Sequence, residues 1–124
     1  MIIANGCDLI EIARIGKAAQ KEDFLLRIFT KDEREYAAQK KGLRATAALA
    51  AAFAAKEAVA KALGVGFGQI GWQDIEIRHD FFGKPEVSLS GRALKLAEDL
   101  QVKKIHLSIS HSKECAMAMV ILEG

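Results

Sequence analysis

Apolar and polar positions along the chain recur with two periods, one near 2 and one near 3.6 residues, and these divide it into strands and helices. Residues 1–4 are apolar, with β-branched Ile2 and Ile3, and predict a strand interrupted by Asn5-Gly6. Asp8 then either faces a cleft from the strand's end or caps the following helix. Glu11, Arg14, Lys17 and Lys21 recur at intervals of three or four, predicting a short helix over residues 10–20 with a mostly basic face. Phe24, Leu25, Ile28 and Phe29 read as core. Thr30 and Glu33 match a capping box, so a helix should run from there to about Lys41 and stop at Gly42. Arg44 opens a long helix in which eleven of residues 45–62 are alanine, and Gly64 is its natural C-terminal stop. After a glycine-rich loop, VGFGQIG, residues 74–78 and 86–89 alternate around the turn Phe82-Gly83-Lys84-Pro85 and read as a hairpin. Ser90 can cap a helix over residues 91–100. Ile105, Leu107 and Ile109 alternate with His106, Ser108 and Ser110, a turn follows at residues 111–114, and residues 115–122 form a buried last strand. The order of elements predicts an α+β fold with a largely antiparallel sheet.

Composition changes this picture in one respect. The 124 residues suit a single domain over 1–124, and 51% are apolar, but much of that fraction is alanine, which buries little area per residue. A thin core leaves room for oligomerisation. A net charge of +2 gives no general case for nucleic acid or an anionic membrane. Cys7 and Cys115 form neither a CxxC motif nor a Cys/His cluster and read as reduced, buried thiols. The stretch MIIANGCDLIEI has no basic leader, and no segment approaches the ~20 apolar residues of a membrane span, so the expected location is the cytoplasm.

The candidate chemistry sits on the alanine helix. Glu57 and Lys61 are four apart and share a face; spacing alone makes them a solvated pair worth a few tenths of a kcal/mol. Small neighbours would also let other backbone approach and turn the pair into a packed site. Lys40, Lys41 and Arg44 cluster around Gly42, as a phosphate contact or only a wet helix end. GVGFG lacks the GK[ST] ending and follows a helix, so its likeness to a phosphate loop is superficial. His111, at the last hairpin's tip, reads alone as a turn residue.

Four motifs in order change that balance: Gly6-x-Asp8 with Arg14, Phe53-Ala54-Ala55-Lys56-Glu57-Ala58 with Lys61, Gly83-Lys84-Pro85, and Ser108-Ile109-Ser110-His111. Together they resemble the holo-[acyl-carrier-protein] synthase family, the short-chain 4′-phosphopantetheinyl transferases, along essentially the whole chain. The resemblance implies that fold, with the long helix packed on the sheet, and a homotrimer binding coenzyme A between neighbouring subunits. It also implies Mg²⁺-dependent transfer of 4′-phosphopantetheine from coenzyme A to a serine of apo acyl carrier protein in fatty acid biosynthesis, leaving adenosine 3′,5′-bisphosphate.

By the same resemblance Asp8 and Glu57 are magnesium ligands and Lys61 a catalytic lysine at the same phosphates. Asp8, Glu57 and water on the metal are all candidate bases for the serine proton. Arg44 matches a contact to the nucleotide 3′-phosphate, Gly83, Lys84 and Pro85 border the adenine, and His111 with Ser112 lies near the phosphates. Arg14 matches the carrier-docking helix, where Lys17, Lys21 and Arg27 add positive charge against an acidic carrier. The chain departs from the family at Ala52, often an Arg that binds nucleotide phosphate, and at Phe82, often an Asn. Lys40, Lys41 and Lys84 are the candidates to supply the missing charge.

Overall fold

The computed structural model describes residues 1–124. Strand β1 (Ile2–Glu11) leads into four helices, α1 (Ile12–Ala18), α2 (Glu22–Ile28), α3 (Lys31–Ala38) and α4 (Leu43–Leu63). The hairpin β2 (Ile75–His79) and β3 (Pro85–Leu89), helix α5 (Gly91–Asp99), and the hairpin β4 (Lys104–His111) and β5 (Cys115–Glu123) complete the chain. All strand pairs are antiparallel, in a three-stranded sheet of order β1-β5-β4 and a two-stranded sheet of β2 and β3.

The α+β expectation holds, with local corrections. Asn5-Gly6 does not interrupt the first strand: both pair with β5, opposite Ile121 and Val120, so Asp8 lies within β1 and caps nothing. The helix expected over residues 10–20 begins only at Ile12, because Glu11 still belongs to the ladder. Residues 22–28 form a helix of their own, whose acidic first turn, Glu22 and Asp23, suits a helix start. The capping box is present, Thr30 Oγ1 accepting from the Glu33 amide at 3.2 Å, but α3 ends at Ala38, short of Lys41. Ser90 makes no side-chain cap. Cys7 is exposed and Cys115 half-buried, so neither is a core thiol.

The core lies between α4 and the inner face of the larger sheet. α4 packs mainly on β1 and β5, and its buried Ala54, Ala55 and Ala58 belong to the same core as Ala116, Ala118, Val120 and Leu122. Approach is closest at Gly6, where a β-carbon would run into the backbone of Ala58 and Ala62. Gly64, at φ 77°, ends α4 as expected. Phe67, in the glycine-rich loop, then lies flat on Trp72 at 3.5 Å between ring centroids, making that loop part of the packing.

Candidate active site

The close contact at Gly6 brings Asp8, two residues on and on the same face of β1, beside α4. Lys61 Nζ lies 3.1 Å from Asp8 Oδ1 and donates also to the Cys7 carbonyl at 3.1 Å. Lys61 thus pairs with Asp8 across two elements, whereas spacing alone suggested a solvated partnership with Glu57. The Asp8 side chain is 15% exposed and that of Lys61 56%, so the cluster opens to solvent from the lysine side. Glu57 is half-buried. Burial raises its carboxyl above the usual range, the neighbouring Asp8 charge adds to the rise, and Lys61 and Arg14 oppose it. The hydrogen bond to Asp8 raises the Lys61 ammonium in turn. Two mutually repelling carboxylates suit a hard cation with oxygen ligands. No three His, Cys, Asp or Glu side chains gather anywhere in the chain, so a cation here takes its remaining ligands from water or a bound phosphate.

The other half of the expected site lies toward the N-terminal end of the same helix. A cleft of about 430 Å³ gathers Arg44, Gly83, Pro85 and His111. Ala47, Ala48, Ala51 and Ala52 form its α4 wall, so the position of the missing Arg faces this cleft with a methyl group. Lys84 and Ser112 lie outside the lining. The Lys84 amide donates to Asp80 Oδ1 at 2.8 Å and helps fix the turn that presents Gly83, which has φ 85°. The Ser112 hydroxyl accepts from the amides of Glu114 and Cys115, at 3.3 and 3.2 Å, and closes the β4–β5 turn. Asp8, Glu57 and Lys61 are absent from the cleft wall. Thirteen residues separate Arg44 from Glu57, about 20 Å of helix at 1.5 Å per residue.

Three cleft residues escaped the sequence reading: Tyr36 and His79, which stack at 3.8 Å between centroids and 6° between planes, and Ile77. A signal existed for His79, which continues the inward alternation of Ile75 and Ile77. Lys56 belongs to the Phe53–Ala58 motif, but its role was not read from the sequence. It is wholly buried, 2.7 Å from Glu33 Oε1, and donates to the carbonyls of Ile28 and Trp72 at 2.8 and 3.0 Å. The other Glu33 oxygen accepts from the Ile77 amide at 2.7 Å. This saturated pair ties α3 and β2, which wall the cleft, to the middle of α4. Burial lowers the Lys56 pKa and the Glu33 charge opposes that.

Arg14, Lys17, Lys21 and Arg27 line one groove of about 440 Å³ with Ala18, Asp23 and Phe24. They come from α1, the α1–α2 connection and α2, so the basic surface extends beyond one helix face. Arg14 reaches both this groove and the field of Glu57.

The family model described as the 4′-phosphopantetheinyl transferase superfamily matches residues 4–120, and the chain belongs to that superfamily of transferases. Its relatives there are holo-[acyl-carrier-protein] synthases. The one from Caldanaerobacter subterraneus subsp. tengcongensis is 46% identical over 125 residues, covering 100% of this chain and 97% of its own. Among solved structures, the Bacillus anthracis enzyme, in complex with coenzyme A (3′,5′-ADP), is 43% identical with a TM-score of 0.83 over 98% of this chain and 96% of that one. The Neisseria meningitidis enzyme, 33% identical, reaches 0.89 over 100% of both chains. No helix is long and apolar enough to cross a membrane.

Proposed function

We propose that the chain, acting as one domain over residues 1–124, moves the 4′-phosphopantetheine arm of coenzyme A onto a serine of apo acyl carrier protein. The other product is adenosine 3′,5′-bisphosphate, and the setting is fatty acid biosynthesis in the cytoplasm. The observation that carries this reading is the convergence of Asp8, Glu57 and Lys61. The serine oxygen forms a bond to the phosphorus bearing the pantetheine arm, the bond from that same phosphorus to the bridging oxygen breaks, and adenosine 3′,5′-bisphosphate leaves with the bridging oxygen. The serine proton passes to Asp8, Glu57 or a water between them and the phosphates. Lys61, already within 3.1 Å of Asp8, stabilises or protonates the departing phosphate. Asp8 and Glu57 would hold Mg²⁺, which supplies positive charge to the diphosphate as its bridging bond breaks. Arg14, Lys17, Lys21 and Arg27 dock the acidic carrier along one groove.

Arg44, Gly83, Pro85 and His111 hold the adenosine end, with Lys84 and Ser112 supporting the turns. A ribose carries its 3′-phosphate and its 5′-diphosphate on the same sugar, so the cleft and the carboxylate cluster serve neighbouring parts of one donor. Asp8, Glu57 and Lys61 are absent from the cleft wall, which supports a reading in which one donor molecule takes its carboxylates from one copy and its cleft from a neighbour. A homotrimer satisfies this with a closed ring of head-to-tail contacts. Leu9, Met117 and Met119, 68%, 41% and 46% exposed on the uncovered face of the larger sheet, offer apolar area for such packing.

The test is to incubate the chain with apo carrier protein, coenzyme A and Mg²⁺ and to weigh the carrier. A gain of one phosphopantetheinyl group is expected. An unchanged mass with a carrier that a known synthase modifies would refute the reading.

A further inference from the structure

A phosphomonoester carries about two negative charges, while α4 offers the cleft one cation, Arg44, beside four alanines. The two other lysines considered from sequence do not line the cleft: Lys84 and Lys41 are both exposed. Lys40 does. It follows α3 by two residues, is half-buried, and its ammonium sits 4.8 Å from the centroid of the Tyr36 ring. Tyr36 in turn lies flat against His79, the last residue of β2. Tyr36 thus contacts both of the others, its ring stacked on the imidazole and facing the ammonium, and all three line the cleft. The ring face attracts the cation and restricts its long side chain, so less freedom remains to be lost on binding.

We propose that Lys40, seated on the Tyr36–His79 stack, is the second cation that recognises the 3′-phosphomonoester of the donor, taking over from α4 the role that position 52 does not fill. The diphosphate belongs to the Asp8–Glu57–Lys61 cluster, which leaves the monoester as the phosphate for Lys40 and Arg44. Tyr36 and His79 are positioning residues. Burial, with Lys40 beside it, lowers the His79 pKa, while Asp80 opposes this. A neutral ring thereby leaves the positive charge of these three side chains on Lys40. The inference rests on coenzyme A being the donor.

The test compares two probes by calorimetry with the full-length chain and Mg²⁺: coenzyme A and 3′-dephospho-coenzyme A. The wild type should bind coenzyme A more tightly. Lys40→Met should weaken coenzyme A about tenfold or more and leave the dephospho compound unchanged, removing most of the discrimination. Tyr36→Leu should do the same to a smaller extent, and Tyr36→Phe, which keeps the ring face, should restore it. Lys41→Met should change neither affinity. Equal loss of both ligands in Lys40→Met, no loss of either, or a wild type that does not discriminate would overturn the inference alone. A wild type that binds neither would overturn the donor reading as well.

Discussion

At its C-terminal half α4 meets β1 so closely that only a glycine fits at position 6, and Asp8, Glu57 and Lys61 are drawn into one cluster. At its N-terminal half the same helix presents alanines to an open cleft, and most of the polar side chains there come from α3, the α3–α4 connection, β2 and the end of β4. The first region is positioned by backbone packing, so its geometry tolerates little change. The second is assembled from side chains of several elements. A cation can be lost from one wall there and supplied from another without disturbing the core. Bond-breaking chemistry suits the first kind of construction, and recognition of one end of a substrate suits the second.

Substitutions at the two ends should therefore differ in kind. Glu57→Gln should cut turnover at least about 10³-fold in kcat while the cleft still binds adenosine 3′,5′-bisphosphate, because the proposed role of Glu57 puts a metal ligand's charge where the phosphates react. Normal kcat at limiting Mg²⁺ would take Glu57 out of the metal site. Lys56→Met should erase the contrast by striking both ends. It strands the buried Glu33 charge between α3, β2 and α4, at a cost of roughly 3–5 kcal/mol, and should lower the thermal midpoint by about 10 °C or more. A midpoint within a degree or two of wild type would show that the pair is dispensable. Arg14→Glu should raise the carrier KM about tenfold and leave coenzyme A binding alone, as expected of a charge on a docking rim. A fall in coenzyme A affinity would move Arg14 into the nucleotide site.

The smallest effect concerns pH and belongs to the cleft. His79 has its pKa lowered from the usual 6.5 by burial and by Lys40. Below about 6.5 the unfolded chain binds this proton more readily than the folded one, so stability falls as the pH drops toward the lower folded value. His79→Gln should flatten that part of a melting-temperature profile. An unchanged slope would assign the pH dependence to other groups.

The two ends also differed in how far they could be read from sequence. Asp8 was named from the short motif Gly6-x-Asp8, and Glu57 and Lys61 from the helical motif Phe53–Ala58 and its next turn, yet the pairing of Lys61 with Asp8 needed the fold. Helical spacing joins Glu57 to Lys61, while the structure joins Lys61 to a strand some fifty residues earlier. The cleft was legible only in part. Arg44 and the Gly83–Pro85 turn carry local signals, but the Tyr36–His79 stack joins residues more than forty apart, and no period reports that contact. The unbroken first strand was missed for a similar reason. Asn5-Gly6 looks like turn chemistry, but its glycine is needed for close packing against α4 rather than for a turn. The role of Lys56 was hidden because its position on an alanine helix says nothing about the carboxylate waiting on α3.

The central claim is that the two ends of α4 that serve one donor molecule belong to different copies of the chain. Subunit complementation tests it directly, using a chain with Glu57→Gln and a second chain with Lys40→Glu and Arg44→Glu. Each should be nearly inactive alone at limiting coenzyme A. Co-refolded in equal amounts, they should regain activity in about a quarter of the sites, those pairing an intact carboxylate end with an intact cleft from the neighbour. Activity no greater than the sum of the separate samples would contradict the claim.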